Sequence, residues 1–188
     1  ALEMELEGGS FGFLRGTARA SEVVGSFDAL LTASYNRSNG WRQLSSTEEL
    51  SLFTKVGGRG ETTDGWLSYS FASHRLEGPG PLPESWLDGG PLPPDITDLP
   101  DDRRKLQYTG GRGDRFVPRL HFLSGRVERL LGDGWAVQAS AYGRLTDFRQ
   151  SNDNITEPNA LGLTDIRTVG SAVQISYEPT DRFMATSG

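Results

Sequence analysis

The chain has no cysteine among its 188 residues, so neither a disulfide framework nor a thiolate metal site is open to it. It has only two histidines, His74 and His121, and no neighbour in sequence completes a ligand set around either. No HExxH, GxSxG or phosphate-cradling glycine loop occurs, which argues against an enzyme. No apolar run approaches the ~18 residues of a membrane-crossing helix, yet a membrane barrel stays open because its alternating strands leave little hydropathy signal. A net charge of −6 with no basic stripe argues against nucleic acid as a partner. The start, Ala-Leu-Glu-Met, carries no charged n-region or apolar h-region and reads as a mature or excised piece.

What is present is glycine, 24 residues of it, with aromatics at 10%, a mixture that suits many strands joined by turns. The plainest strand is Trp135 to Phe148. Trp135, Val137, Ala139, Ala141 and Leu145 alternate with Gln138, Ser140, Arg144 and Thr146, a period of two. Fourteen residues span roughly 46 Å at about 3.3 Å each, more than a typical soluble strand needs. Similar alternation marks Ala1 to Gly8, Phe11 to Ala20, Ser26 to Ser38, Glu48 to Val56 and Asp64 to Leu76. It returns in Arg115 to Leu130, Thr164 to Tyr177 and a last partial strand, Arg182 to Ser187, although Ala1 to Gly8 would also make a short helix and Arg126 to Leu131 could also start one. The expected fold is therefore all-β, an antiparallel up-and-down meander of about nine strands.

From Glu77 to Asp114 neither period holds, and the prolines concentrated between Pro79 and Pro100 argue against regular structure there. A second polar stretch covers 149–163. Connections alternate between short (21–25, 57–63, 131–134, 178–181) and longer (39–47, 77–114, 149–163). In a meander every second connection lies at the same end, so one rim collects the tight turns. Outer-membrane barrels show that asymmetry, and a soluble sandwich has no reason for it.

Three short segments carry a family likeness. Gly9-Ser10-Phe11-Gly12, Asn39-Gly40-Trp41-Arg42 and Gly80-Pro81-Leu82-Pro83-Glu84-Ser85 resemble, in that order, the GSFG junction, the (D/N)GWR after an upward strand and the GPLPES of a long outer loop. All three belong to the barrel portion of TonB-dependent outer-membrane receptors, which import iron chelates, cobalamin and similar scarce nutrients. The resemblance implies that residues 1–188 are a partial barrel in the outer membrane of a Gram-negative bacterium, with outer loops near 77–114 and 149–163. It further implies outer-membrane lipid, a plug domain of the same parent chain, the TonB energy-coupling system and a nutrient chelate as partners. No cofactor is implied. No plug, TonB box or terminal aromatic strand is visible in the sequence.

If Trp135, Val137 and Ala139 face lipid, then Asp28, Thr32, Gln138, Ser140, Arg144 and Gln174 face the lumen. Trp41, Trp66 and Trp135 fall near strand ends, where interfacial aromatics belong. Trp86 and Tyr108, in the long loop, are candidates for touching a ligand. The acidic group Asp95, Asp98, Asp101 and Asp102 lacks the glycine placement of a calcium loop and reads as solvated loop. Arg112-Gly113-Asp114 reads as a loop end, and the sequons at Asn36 and Asn154 matter only in a eukaryotic secretory setting. The competing expectations are a soluble secreted β-sandwich or lectin-like module, whose strands would pack on a second sheet, and a passive porin.

Overall fold

A computed structural model of the chain describes residues 1–80, 82, 84–91, 105–106, 113–152, 160–180 and 183–187. Nine strands form one antiparallel sheet in sequence order: β1 (Leu2–Gly8), β2 (Leu14–Val24), β3 (Phe27–Ser38), β4 (Thr47–Arg59), β5 (Thr63–Gly78), β6 (Asp114–Gly132), β7 (Trp135–Asn152), β8 (Ala160–Thr180) and β9 (Phe183–Ser187). The meander expected from the alternation is what forms. Strands β6 to β8 run 18 to 21 residues, so polar stretches that looked like loop continue the ladder beyond the apolar alternation. Thus 149–152 and 160–163 are strand, and Ser21 to Val24 belongs to β2. Phe11 leaves β2 altogether, sitting at φ 58° in a short 3-10 turn, Ser10–Gly12. Proline does not exclude all regular structure from the long connection: one helical turn, α1 (Glu84–Leu87), forms there.

The hairpin turns explain themselves locally. Asp133 and Gly134 take φ 50° and 80°, the doubly left-handed geometry of a type I′ turn that suits the twist of flanking strands and selects Asp-Gly. Gly25 supplies φ 61° between β2 and β3, where a Cβ would be strained. Strands at one rim are joined through residues 25–26, 60–62, 133–134 and 181–182, and at the other through 9–13, 39–46, 79–113 and 153–159. Every connection at the first rim is two or three residues long, and every one at the second is longer.

No second layer covers the sheet among the described residues. The only buried apolar side chains there are Trp86 and Leu106, both outside the strands. That disposes of the sandwich, whose core would have to lie between two sheets.

Candidate functional site

Directly paired residues of an antiparallel sheet share a face, so the register sorts every strand residue onto one of two faces. One face carries Leu2, Met4 and Leu6 on β1, Phe27, Leu31 and Tyr35 on β3, and Leu67, Tyr69 and Phe71 on β5. It continues through Leu123 and Val127 on β6, Val137 to Leu145 on β7, and Val169, Val173 and Ile175 on β8. The opposite face is polar and hydrogen-bonded. Ser34 and Ser51 hydroxyls lie 2.6 Å apart and those of Ser68 and Ser124 2.9 Å apart. The Asn36 amide donates to Glu49 at 3.2 Å, whose carboxylate is also 3.7 Å from His74.

Burial is inverted relative to a water-soluble sheet. Along β3 the apolar positions Phe27, Ala29 and Leu31 are exposed while Asp28, Leu30 and Thr32 between them are half-covered. Leu6 is 77% and Val169 86% exposed, whereas Ser68 on the polar face is 8% exposed. Crowded side chains on one face and splayed ones on the other are the signature of a curved wall, polar on the concave side.

The apolar run also slides across the sheet. On β3 it ends at Tyr35, which the pairing carries to Asp165 on β8, but on β8 it ends at Val169, in line with Leu31. At the other edge Phe27 is in line with Val173, and β8 continues through Ile175 to Tyr177. Both edges slip by four residues over five strand steps. At about 3.3 Å per residue and about 4.8 Å per strand, the belt lies roughly 30° off the perpendicular to the strands. A level belt on the wall therefore means tilted strands, close to the 35–45° typical of membrane barrels.

Aromatics mark the belt's edges. Trp135 and Tyr177 stack at 4.4 Å on the tight-turn side, and Tyr35 donates its hydroxyl to Glu48 at 3.1 Å on the other. Trp66 is a correction. It is paired with Gly57 and Arg126 on the polar face, with the Lys55 ammonium 5.2 Å from its ring, so a strand-end position did not make it interfacial. Trp41 is half-exposed in the 39–46 loop.

The three segments that carried the family likeness meet at the long-loop rim. The Asn39 amide donates to the Phe11 carbonyl at 2.8 Å, and a Cβ on Gly12 would come within 2.6 Å of Asn39. One guanidinium nitrogen of Arg42, Nη2, donates to the Gly80 and Leu106 carbonyls, each at 3.0 Å. The Gln43 amide adds a bond to the Lys105 carbonyl. Gly40 holds φ 70°, and a Cβ there would lie 2.0 Å from the Ser45 hydroxyl. Beside this clasp the Glu77 carboxyl is held below its ordinary range, first by the Ser46 hydroxyl at 2.6 Å and then by Arg115 and Arg75. Sequence gave the motifs but not this convergence, since spacing along the chain does not reveal which loops touch.

Asp28, Thr32, Gln138, Ser140, Arg144 and Gln174 all lie on the polar face, with Gln138 directly paired to Gln174. Trp86 is 6% exposed in α1. Tyr108 and the acidic group at 95–102 lie outside the described residues. His74 is on the polar face and His121 on the apolar one, hydrogen-bonded to Tyr69 at 2.8 Å. The two thus cannot share an ion, and no metal-competent cluster of three ligands exists among the described residues. No described helix is long and apolar enough to cross a membrane, which has no bearing on crossing by strands.

No protein-family model matches the sequence, and no curated protein matches it. Among solved structures, the nine strands match part of the barrel of a TonB-dependent receptor. This is the ferric-catecholate import receptor Fiu from Escherichia coli K12, in its closed form, with a TM-score of 0.65 at 14% identity. The match covers 94% of this chain and 28% of the receptor. The likeness is one of fold, and the chain spans little more than a quarter of that receptor's length.

Proposed function

We propose that this chain is a wall segment of a TonB-dependent outer-membrane transporter that takes up a scarce nutrient, such as a siderophore–iron complex or cobalamin. The observation that carries the reading is the inverted burial: the apolar side chains occupy the more exposed face and the hydrogen-bonded polar ones the sheltered face. The tilted belt and the one-sided distribution of long loops support it independently, and the fold of a ferric-catecholate import receptor supports the choice of cargo class. Asp28, Thr32, Gln138, Ser140, Arg144 and Gln174 then line the lumen, where their polar groups meet a plug domain of the parent chain. Long-rim loops, clasped by Arg42, capture the chelate, and release past the plug is driven by the TonB system. The chain performs no covalent chemistry.

This segment contributes no cysteine to the background, and any elsewhere in the parent is first replaced by serine. Single cysteines at successive positions 137 to 144 of the parent, in bilayers, are exposed to a membrane-impermeant maleimide. Even positions should label and odd positions should not. Labelling that ignores parity, or favours odd positions, would overturn the assignment.

A further inference from the structure

The ladder between β5 and β6 is broken at one place. Pairing runs without interruption from Thr63–Arg129 to Ser73–Arg119 and resumes at Leu76–Phe116 in the same register. The two pairs left out are His74–Pro118 and Arg75–Val117. Proline has no N–H to give a ladder, and a bulge is not the cause, since no residue is inserted. The ladders on either side stay whole: β4 pairs with His74 and Arg75, and β7 with Val117 and Pro118. Beyond the gap β5 meets β6 through three last pairs, Leu76–Phe116, Glu77–Arg115 and Gly78–Asp114.

Glu77 fastens that isolated end. One carboxylate oxygen accepts the Ser46 hydroxyl at 2.6 Å, and the other accepts Arg115 from β6 at 3.1 Å and Arg75 from its own strand at 3.3 Å. Its amide donates to the Ser46 carbonyl at 2.9 Å, and its side chain is only 14% exposed. Next in line on the same face are Glu48 of β4, paired to Arg75, and Arg37 of β3, paired to Glu48. On β7 Ser151 is paired to Arg115, and Arg149 on the same face is 3.6 Å from Asp147. Asp114 is paired to Gly78 on the opposite face. Because one oxygen of Glu77 holds both guanidinium groups, removing its charge leaves two cations facing each other between β5 and β6.

We propose that the long-loop end of the β5–β6 pairing is a seam in the wall and that Glu77 is its latch. With the carboxylate charged the seam is shut. With it neutral, β5 parts from β6 above Pro118 and takes the end of β4 and the 39–46 loop along. The sign follows from the contacts: Ser46, then Arg115 and Arg75, favour the charged form. The latch is therefore complete at neutral pH and is lost as pH falls through a value below the ordinary glutamate range of about 4.3.

The test uses the parent protein, freed of other cysteines and placed in bilayers, with nitroxides on paired cysteines. One pair, at Gln43 and Arg149, spans the seam, and another, at Leu67 and Leu145, spans the same strands below Pro118; all four positions are exposed. By pulsed EPR the upper pair should show one narrow distance at neutral pH, lengthening by about 5 Å, one strand spacing, at about pH 3. The lower pair should hold its distance. Glu77→Gln should show the lengthened distance already at neutral pH, and Glu48→Gln should follow wild type. Pro118→Val, which gives the ladder back its N–H, should keep the seam shut in acid. An upper distance indifferent to acid, an acid response that survives in Glu77→Gln, opening of Pro118→Val as wide as in wild type, or equal movement of the lower pair overturns the latch. Should Glu77→Gln fail to assemble, Ser46→Ala decides: loss of the strongest support of the charged form should move the opening to higher pH, and an unmoved midpoint overturns the proposal.

Discussion

Arg42 holds together two stretches of chain that are 26 residues apart, the carbonyls of Gly80 and Leu106, from a third loop that precedes both. Its Nε is buried without a hydrogen-bond partner among the described residues, a cost the fold sustains only because the other end of the guanidinium is well used. Arg42→Ala should leave two covered carbonyls without their donor and destabilise the clasp by about 1–3 kcal/mol. The readout is amide hydrogen exchange at Gln43, whose donation to Lys105 depends on the same approach. Faster exchange there, with exchange in β7 unchanged, is the expected outcome. Arg42→Lys should not restore protection, because the shorter lysine side chain stops its ammonium short of the point from which Nη2 reaches both carbonyls. Unchanged exchange at Gln43 in Arg42→Ala would show that the backbone bond holds the loops by itself.

Strands make a sharper division than single contacts do, because a shift of one residue changes the face. Ala141 lies at mid-belt on the apolar face and Ser140 is its immediate neighbour on the polar face. In a bilayer, Ala141→Arg should cost about 2–4 kcal/mol and Ser140→Arg close to nothing, measured by urea unfolding of the parent in lipid vesicles. Equal costs would mean that water bathes both faces. This alternation was legible from Trp135 to Phe148 and from Ser26 to Ser38, where apolar and polar residues mostly take turns. It failed at strand ends. Ser151 and Asn152, or Leu161 and Gly162, continue the ladder on backbone hydrogen bonds, which leave no mark in side-chain type. Phe11 misled for the opposite reason: an apolar side chain on a left-handed residue looks like strand in sequence. Trp66 shows the limit for sites, since an aromatic near a strand end has two faces to choose from and only the register decides between them.

At the scale of the whole molecule the accessible surface is 13011 Å², against about 8,800 Å² for a compact soluble monomer of this mass. A single curved sheet without an opposing layer accounts for the excess. Among the described residues, β1 pairs only with β2 and β9 only with β8, so the sheet has two open edges. An open edge inside hydrocarbon leaves backbone groups that neither water nor protein can satisfy, and an open edge in water recruits other chains. The free edges and the exposed apolar belt act together: each invites association, and water can solvate the edges but cannot relieve the belt. The isolated 188-residue chain should therefore not exist as a monomer in either solvent. Light scattering after refolding should report large assemblies in buffer and polydisperse oligomers in detergent. Placing the same segment between the strands that flank it in the parent should give one discrete species. A monodisperse, water-soluble monomer of 20.5 kDa obtained without detergent would require the apolar face to be covered by something other than lipid, and the barrel-wall reading would fall with it.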